Sequence, residues 1–365
     1  MTERVEADSL AGCLLGGAVG DALGAPIEFD SLDEIRRTFG PRGIENFAEC
    51  YGRVGAITDD TQMTLFTAEG MIRAHLRGVS RGICHVPSVI DHAYAAWMHT
   101  QGLSSPLWGD DAAIGWLVSV PDLNHRRAPG NTCLSALLAD AQGTIDEPLN
   151  DSKGCGGVMR AAPVGLDPVF DRKQVFRTAC EVAGLTHGHP SGYLTAGVLA
   201  ETVAGIVRDG HSLDVALRGA ERCLAEWPDD AADETRRALA AARSLAGSQT
   251  KPGPETVESL GEGWVAEEAL AIAVYCALVA DDFAAGVALA VNHSGDSDST
   301  GAICGNLLGA VGGVEAIPRA WLEQLELRDV IERICLDWKS LVEGEDQIVG
   351  SDFIADEWAE RYPPW

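Results

Sequence analysis

Residues 12–24 read GCLLGGAVGDALG and determine the framework of this chain, because glycine recurs in them at every fourth position. A second stripe with the same spacing begins at residue 301, in the run GAICGNLLGA. Residues four apart share one face of a helix, and each glycine inside a helix costs about 1 kcal/mol relative to alanine. The two stripes therefore predict helices whose backbones approach another element closely, either each other or separate neighbours. The glycines are Gly12, Gly16, Gly20 and Gly24 in the first stripe and Gly301, Gly305 and Gly309 in the second.

If the two helices pack antiparallel on each other, the segment after the first stripe lies beside the entry of the second helix. That arrangement would bring Glu28 next to Asp296 and Asp298. A site built from both ends of the chain would also make residues 1–365 a single domain.

Helical spacing of alanine and leucine dominates the remainder of the chain, while alternating runs of β-branched residues are scarce. We therefore expect an all-α fold. Loops rich in glycine and proline separate the helices at 25–57, 102–108, 120–132, 142–172 and 247–263. The predicted helices are 9–24, 60–78, 87–101, 109–119, 173–185, 193–208, 212–226, 231–246, 264–280, 282–291, 299–313 and 327–342.

Composition excludes several classes of protein. The chain has 365 residues, 46% hydrophobic and 22% charged, which is typical of a globular protein with a sizeable core. Its formal net charge of -28 would repel nucleic acid and anionic membranes. We therefore expect neither as a partner.

The N-terminus MTERVEADSL is acidic, unlike the basic and then apolar pattern of a signal peptide. No apolar run is expected to reach the roughly 18 residues of a membrane span. The ten cysteines are scattered singly, without the paired spacing of a zinc site or a disulfide framework. These features predict a cytoplasmic protein, and we expect it to be a monomer.

Acidic and hydroxyl residues are concentrated in two short segments, each directly before an apolar helix. One segment is Thr58-Asp59-Asp60-Thr61, and the other is HSGDSDSTG at residues 293–301. Such residues are favoured as N-caps, which satisfy the free backbone donors of a helix start. A cap needs only one side chain, however, and gathered like charges repel. Carboxylate and hydroxyl oxygens are ligands that Mg²⁺ or Mn²⁺ prefers, so a divalent cation is the alternative to simple capping.

A glycine-rich loop at 150–160, NDSKGCGGVMR, would allow backbone N–H groups to approach an anionic ligand such as a diphosphate. An ordinary surface turn is the alternative interpretation. The nearby pair His187 and His189 precedes a proline, and for His187 a ligand contact is favoured over metal binding.

Taken in order, five motifs resemble the ADP-ribosylglycohydrolase family over about residues 9 to 315. These motifs are GCLLGGAVGDALGAPIEF, TDDTQM, GCGGVMRAAPVG, THGHP and HSGDSDSTGAICGNLLGA. The resemblance implies a single-domain orthogonal helix bundle with a central cleft that holds two Mg²⁺ or Mn²⁺ ions. It also implies release of ADP-ribose from a modified acceptor.

Carried over motif by motif, the resemblance assigns roles to individual residues. It implies metal ligands, catalytic acids and a loop around the ADP-ribose phosphates, with His187 in the ligand cleft. Cys155 stands where relatives often carry asparagine, which concerns the loop and not the metal ligands. The implied metal ligands are Thr58, Asp59, Asp60, Asp296, Asp298 and Ser299; the implied catalytic residues are Glu28, Asp59, Asp60 and Asp296; the loop residues are Gly154, Gly156, Gly157, Val158 and Met159.

When a leaving group departs from an anomeric carbon, the reaction passes through an oxocarbenium-like state. The water that attacks this carbon needs an acceptor for its proton. We therefore expect a hydrolase of the glycosidic bond between ADP-ribose and a protein side chain or small molecule. Arginine is the mildly preferred acceptor, because Asp110, Asp111 and the negative field suit a guanidinium group.

This hypothesis has three alternatives. An isoprenoid synthase needs an acid four positions after the first aspartate, and Met63 occupies that position after Asp59. A divalent-metal phosphoesterase and a catalytically inactive ADP-ribose-binding relative stay open as alternatives.

Overall fold

The computed structural model describes residues 2–348 and 354–363, without the side chains of residues 2–7, 110, 342 and 344–348. The described chain is all-α, as predicted, apart from one two-stranded hairpin. Its helices are α1 (Thr2–Gly24), α2 (Leu32–Phe39), α3 (Asp59–Arg81), α4 (Val86–Thr100), α5 (Asn131–Leu137), α6 (Arg172–Gly184), α7 (Pro190–Val207), α8 (Leu213–Leu224), α9 (Asp229–Ala246), α10 (Pro254–Glu258), α11 (Ala266–Val279), α12 (Phe283–Val291), α13 (Ser297–Gly312), α14 (Arg319–Gln324), α15 (Arg328–Ile348) and α16 (Asp356–Arg361).

The two glycine stripes pack on each other, which resolves the alternative left by the sequence. α1 and α13 run antiparallel, and a Cβ added to any of the facing glycines would overlap the backbone of the other helix. This close approach repays the conformational cost of glycine inside a helix. The facing pairs are Gly12 with Gly309, Gly16 with Gly305, and Gly20 with Gly301.

Polar and apolar contacts extend the α1–α13 interface. Asn306 donates a hydrogen bond to the carbonyl oxygen of Cys13 at 2.8 Å, and its amide lies directly over Gly17. One cluster of buried apolar residues extends from Leu10 to Tyr362 and includes long stretches of α7 and α11. The single-domain organisation of residues 1–365 stays a prediction.

The hairpin consists of β1 (Glu49–Cys50) and β2 (Arg53–Val54), which pair antiparallel with Glu49 opposite Val54. Its two turn residues, Tyr51 and Gly52, both have positive φ, at 52° and 79°. A two-residue type I′ turn, whose twist matches that of the flanking strands, requires positive φ at both positions.

The predicted helix at 109–119 is wrong. This segment forms two separate 3-10 turns, Gly109–Ala112 and Leu117–Ser119. Gly109 and Gly115 have φ of 56° and 96°, which interrupts a right-handed helix. Gly115 also lies against Glu69, since a Cβ there would be 2.5 Å from the carboxylate oxygen Oε1.

The predicted loop at 25–57 contains α2, and a local signal for it is present. Ser31 accepts a hydrogen bond from the backbone of Glu34 at 3.4 Å, and the Glu34 carboxylate accepts one from the backbone of Ser31 at 2.9 Å. This reciprocal capping box marks a helix start. Helical periodicity also does not identify the short helices α5, α10, α14 and α16.

Within the described residues, one helical window is long and apolar enough to cross a membrane by length and composition alone. It is Asp8–Ile27, with a mean hydropathy of 1.5, and it corrects the expectation that no apolar run reaches this length. However, 89% of the window is buried inside the protein. A buried core helix passes the same test, so the window is weak evidence for a span.

Candidate active site

The antiparallel pairing of α1 and α13 places the end of one helix beside the beginning of the other. A Cβ added to Gly24 would overlap the backbone of Ser297. Asp296 caps α13 and accepts a hydrogen bond from the Ser299 backbone at 3.3 Å. The short 3-10 turn Ala25–Ile27 follows α1 directly and leads to Glu28.

A third segment, the start of α3, is held against α1 by a buried carboxylate. Asp21 accepts hydrogen bonds from the backbone N–H groups of Thr58 and Thr61, each at 3.0 Å. Thr58 in turn caps α3 by accepting the backbone N–H of Asp60 at 3.2 Å. The side chain of Asp59 accepts from the backbone of Gly130 at 3.2 Å.

These segments enclose one cleft of about 190 Å³. It brings together most of the predicted site residues, while Thr58, Gly157 and Val158 are buried and are not among its lining residues. The cleft is lined by Glu28, Asp59, Asp60, Ala128, Gly130, Asn131, Thr132, Cys133, Gly154, Cys155, Gly156, Met159, His187, Trp264, Asp296, Asp298 and Ser299.

The cleft collects negative charge in a buried place. Burial and the charges of Asp298, Asp296 and Asp59 raise the pKa of Glu28 to about 10. Burial, with Asp298 next, raises the pKa of Asp21 to about 7. The carboxylates therefore resist simultaneous ionisation without a compensating cation.

Three more aspartates line the cleft together with Asp298, and their pKa values shift in the same direction. Burial, followed by repulsion from Asp298, raises the pKa values of Asp59, Asp60 and Asp296 well above their ordinary range. Burial also raises the pKa of Asp298 itself. All five cleft carboxylates thus favour bound positive charge.

Two observations test whether these residues fit divalent cations. The oxygens Glu28 Oε2 and Asp60 Oδ1 are buried without a hydrogen-bond partner, and buried polar atoms normally have one. Among the described residues, no lysine or arginine forms a salt bridge with a cleft carboxylate. The donor set therefore fits hard cations, which prefer oxygen ligands.

The carboxylates alone do not form a closed coordination shell. In the described part of the chain, no group of three histidine, cysteine, aspartate or glutamate side chains is arranged to hold a metal ion. A complete shell would therefore also use the hydroxyl groups of Thr58 and Ser299, or bound water, or side-chain rotation.

The glycine-rich loop forms the opposite wall of the cleft, and its glycines are required by close contacts. A Cβ on Gly156 would lie 2.9 Å from both Cys133 Sγ and His187 Cε1, and one on Gly157 would lie 2.7 Å from the carbonyl oxygen of Gly192. Val158 and Met159 are buried. The loop is thus a tightly backed structure, and not an ordinary surface turn.

His187 lies behind this loop, where burial disfavours its protonated form. Its Nδ1 is 2.8 Å from the hydroxyl of Thr186, which also accepts from Arg160 at 2.6 Å. Burial, and then the charge of Arg160, lowers the pKa of His187 to about 3. A neutral imidazole at the cleft wall suits a ligand contact better than proton transfer near neutral pH.

Arg160 and Lys153, which flank the loop, have different environments. Arg160 is fully buried, with its guanidinium 4.4 Å from the centre of the Tyr94 ring. The ammonium of Lys153 forms ion pairs with Glu234, at 3.0 Å, and with Glu267. Lys153 is therefore engaged outside the cleft.

Of the acidic turn that suggested a guanidinium site, Asp111 is not among the residues that line the cleft. The side chain of Asp110 lies outside the described residues. The backbone carbonyl of Asp111 is 3.0 Å from His92 Nε2, and its side chain is exposed elsewhere. The predicted role of this turn in acceptor preference stays a prediction.

Sequence reasoning missed Asp21 and Trp264. Asp21 is an acid within the apolar glycine stripe, which is itself a signal, because a buried carboxylate needs partners. Trp264 lines the cleft from the loop before α11, and no local pattern marks it.

Comparison with known proteins agrees with the motifs. A family model described as ADP-ribosylglycohydrolase matches residues 1–348. A solved structure of an ADP-ribosylglycohydrolase-related protein complex has a TM-score of 0.59 and 26% identity, covering 93% of this chain and 99% of that one.

Two relatives with assigned activities are similar along most of their length. The ADP-ribosyl-[dinitrogen reductase] glycohydrolase of Rhodospirillum rubrum is 25% identical, over 88% of this chain and 91% of the relative. An ADP-ribosylarginine hydrolase of Serratia proteamaculans is 24% identical, over 91% of this chain and 79% of the relative.

An uncharacterised protein of Archaeoglobus fulgidus is 29% identical over 335 residues, which are 88% of this chain and 93% of the relative.

Proposed function

The chain belongs to the ADP-ribosylglycohydrolase family, and from that membership we propose that it is a metal-dependent hydrolase releasing ADP-ribose from a modified arginine side chain. Its class is that of hydrolases acting on glycosyl bonds. The acceptor and the need for Mg²⁺ or Mn²⁺ are the specific parts of the proposal.

The observation that carries the proposal is the set of five buried carboxylates sharing one cleft with a glycine-rich loop. Two of their oxygens have no protein partner. We infer that Thr58, Asp59, Asp60, Asp296, Asp298 and Ser299 would hold two ions between them. When bound, such ions supply charge neutralisation and Lewis acidity toward ribose hydroxyls and water.

Other residues of the chain would have separate roles in the reaction. Glu28 Oε2 is buried at the cleft without a partner, and bound cations would lower the raised pKa of this carboxyl group so that it could ionise and accept a proton from the attacking water. The Gly154 to Met159 loop offers close backbone approach to the diphosphate. Neutral His187 would contact the ligand without adding charge.

Arginine as acceptor rests on two kinds of support. The Serratia proteamaculans relative is named as an ADP-ribosylarginine hydrolase, and the acidic cleft favours a cationic acceptor electrostatically. The dinitrogen reductase named for the Rhodospirillum rubrum relative is that protein's substrate. A cytoplasmic monomer acting on an ADP-ribosylated protein is the setting we propose.

The test offers purified protein three substrates: ADP-ribosylated arginine peptide, ADP-ribosylated serine peptide and an ADP-ribosylated nucleic acid end. Each is incubated with Mg²⁺, Mn²⁺ or EDTA, and released ADP-ribose is quantified. We expect release from the arginine peptide with either ion and none with EDTA. Asp296→Asn should abolish turnover while retaining the wild-type circular dichroism spectrum.

Other outcomes would identify other functions. Phosphate release without ADP-ribose release would indicate a phosphoesterase. Binding of ADP-ribose without turnover of any substrate would indicate an inactive relative. Undiminished activity in EDTA, or in Asp296→Asn, would contradict the metal mechanism.

A further inference from the structure

Two aromatic side chains stack on each other, and one of them, Trp264, lines the cleft. The ring centres of Phe29 and Trp264 are 5.7 Å apart, and their planes differ by 20°. Phe29 is 73% exposed and Trp264 is 38% exposed. These two residues are called the aromatic pair below.

The aromatic pair connects the segment that carries Glu28 with the loop before α11. Phe29 is the next residue after Glu28, and Trp264 itself lines the cleft. The carbonyl oxygen of Trp264 accepts a hydrogen bond from the Cys155 backbone at 3.2 Å. Trp264 is thus positioned by its backbone against the glycine-rich loop.

Packing of the core does not account for the aromatic pair. A core role would bury large apolar side chains, since each buried phenylalanine contributes about 1.5–3 kcal/mol. Phe29 instead has most of its surface in water, and its partner Trp264 lines the cleft that holds the carboxylates. Exposed aromatic surface next to a polar cleft is typical of a binding subsite.

The chemistry of the surroundings indicates what would bind there. Aromatic faces and carboxylates both attract cations, and a guanidinium group stacks on aromatic rings more readily than an ammonium. Glu28, beside Phe29, is the residue proposed to act at the reacting ribose, where the acceptor departs. We propose that the aromatic pair is the acceptor subsite and selects a guanidinium group, an assignment that rests on the proposed glycohydrolase function.

The test compares two peptides of one sequence, carrying ADP-ribose on arginine or on serine, with the Mg²⁺-loaded enzyme. The variants are Phe29→Leu, Trp264→Leu and Trp264→Phe, and the control is Ile83→Ala. Ile83 is 75% exposed, like Phe29, but lies after α3 and away from the cleft. Circular dichroism checks that each variant is folded.

We expect Phe29→Leu and Trp264→Leu to lower kcat/KM for the arginine peptide by about fivefold to thirtyfold, mainly through KM, on the scale of a cation–π contact. The serine peptide should change by less than about twofold, the scale of an exposed apolar side chain. Trp264→Phe should retain more activity than Trp264→Leu. Agmatine, a free alkylguanidine, should inhibit wild type more strongly than either leucine variant.

An equal loss on both peptides would overturn the inference, because it would mean stacking on the adenine that the two substrates share. Unchanged kinetics in Phe29→Leu would also overturn it, and this exposed position does not endanger folding. Cleavage of the serine peptide alone by wild type would refute the acceptor subsite and leave the glycohydrolase function intact. If neither peptide released ADP-ribose, the proposed function would itself fail.

Discussion

The thiol sulfur of Cys155 lies 2.7 Å from Oδ2 of Asp296, so the glycine-rich loop donates a hydrogen bond to the capping carboxylate of α13. The hydroxyl of Ser299 also donates a hydrogen bond to this sulfur, at 3.6 Å. The two walls of the cleft are thus joined through Asp296, and the expectation that Cys155 does not concern the predicted metal ligands is wrong, because its thiol contacts both Asp296 and Ser299.

Replacing Cys155 tests whether this hydrogen bond orients Asp296. Cys155→Val removes the donor at similar size, and we expect kcat/KM to fall at least about tenfold, as for a lost bond to a charged group. Cys155→Ser keeps a donor and should stay close to wild type. Steady-state kinetics with matched melting curves measures both, and wild-type kinetics in Cys155→Val would show that the contact is incidental.

The α1–α13 interface should not tolerate a side chain at its centre. In Gly305→Val, the new side chain would overlap the backbone of Gly16, so we expect a loss of about 3 kcal/mol or more in the free energy of unfolding. Because the same helix carries Asp296 and Asp298, activity should fall with it. Urea unfolding measures the change.

The matched control for Gly305 is a helical glycine with free space. A Cβ on Gly78 in α3 would be 3.9 Å from its nearest neighbour, so Gly78→Ala should be neutral or stabilise the protein by up to about 1 kcal/mol. Equal destabilisation at both positions would mean that the glycine stripes do not set the distance between α1 and α13.

Glu69, buried outside the cleft, should make stability depend on pH. Burial raises its pKa to about 7, despite the opposing effect of Arg73. The folded state therefore holds the proton more tightly, and the unfolding free energy should fall as pH rises from about 4.5 to about 7.

Glu69→Gln removes this dependence, because the amide does not ionise. Relative to the variant, wild type should lose roughly 3 kcal/mol across that range and no more above it. Denaturant titrations of both proteins at several pH values measure the difference. Parallel curves for the two proteins would contradict the assignment.

His187 should have the opposite sign of pH dependence. Its pKa is lowered from 6.5 to about 3, so the unfolded chain binds a proton that the folded chain rejects. The stabilising contribution is complete above about pH 6.5 and is lost as pH falls toward 3. A His187→Gln variant should therefore lose less stability in acid than wild type.

Nuclear magnetic resonance provides a direct check on His187. The ring protons of this histidine should keep constant chemical shifts from about pH 5 to about pH 8, whereas an exposed histidine titrates near 6.5. A titration of His187 near neutral pH would show that the ring is not held neutral by burial.

Much of the candidate site was predictable because its signals are local. The acidic segments at 58–61 and 293–301 mark helix starts, and each lies where the structure begins α3 and α13. The glycine-rich loop at 154–159 is also local in sequence. Glu28 has no such local cluster, and it was added through the assumed pairing of the glycine stripes and through the family resemblance.

Other residues have no local signal. Trp264 reaches the cleft because a loop folds back so that its backbone pairs with Cys155. Asp21 becomes a brace for α3 only when that helix arrives beside α1. The two glycines at 109 and 115 interrupt a helix that composition favours, because left-handed φ is not visible in a hydrophobic pattern.

The sequence alone determined that this protein is all-α, that two helices carry glycine faces, and that acids cluster where helices begin. Periodicity and capping depend on neighbours three or four residues apart, so both can be predicted directly from the sequence. Tertiary structure decided that the glycine faces meet each other and that carboxylates from distant segments are buried in one cleft. Their raised pKa values, and the aromatic pair beside Glu28, depend on groups that are neighbours only in space.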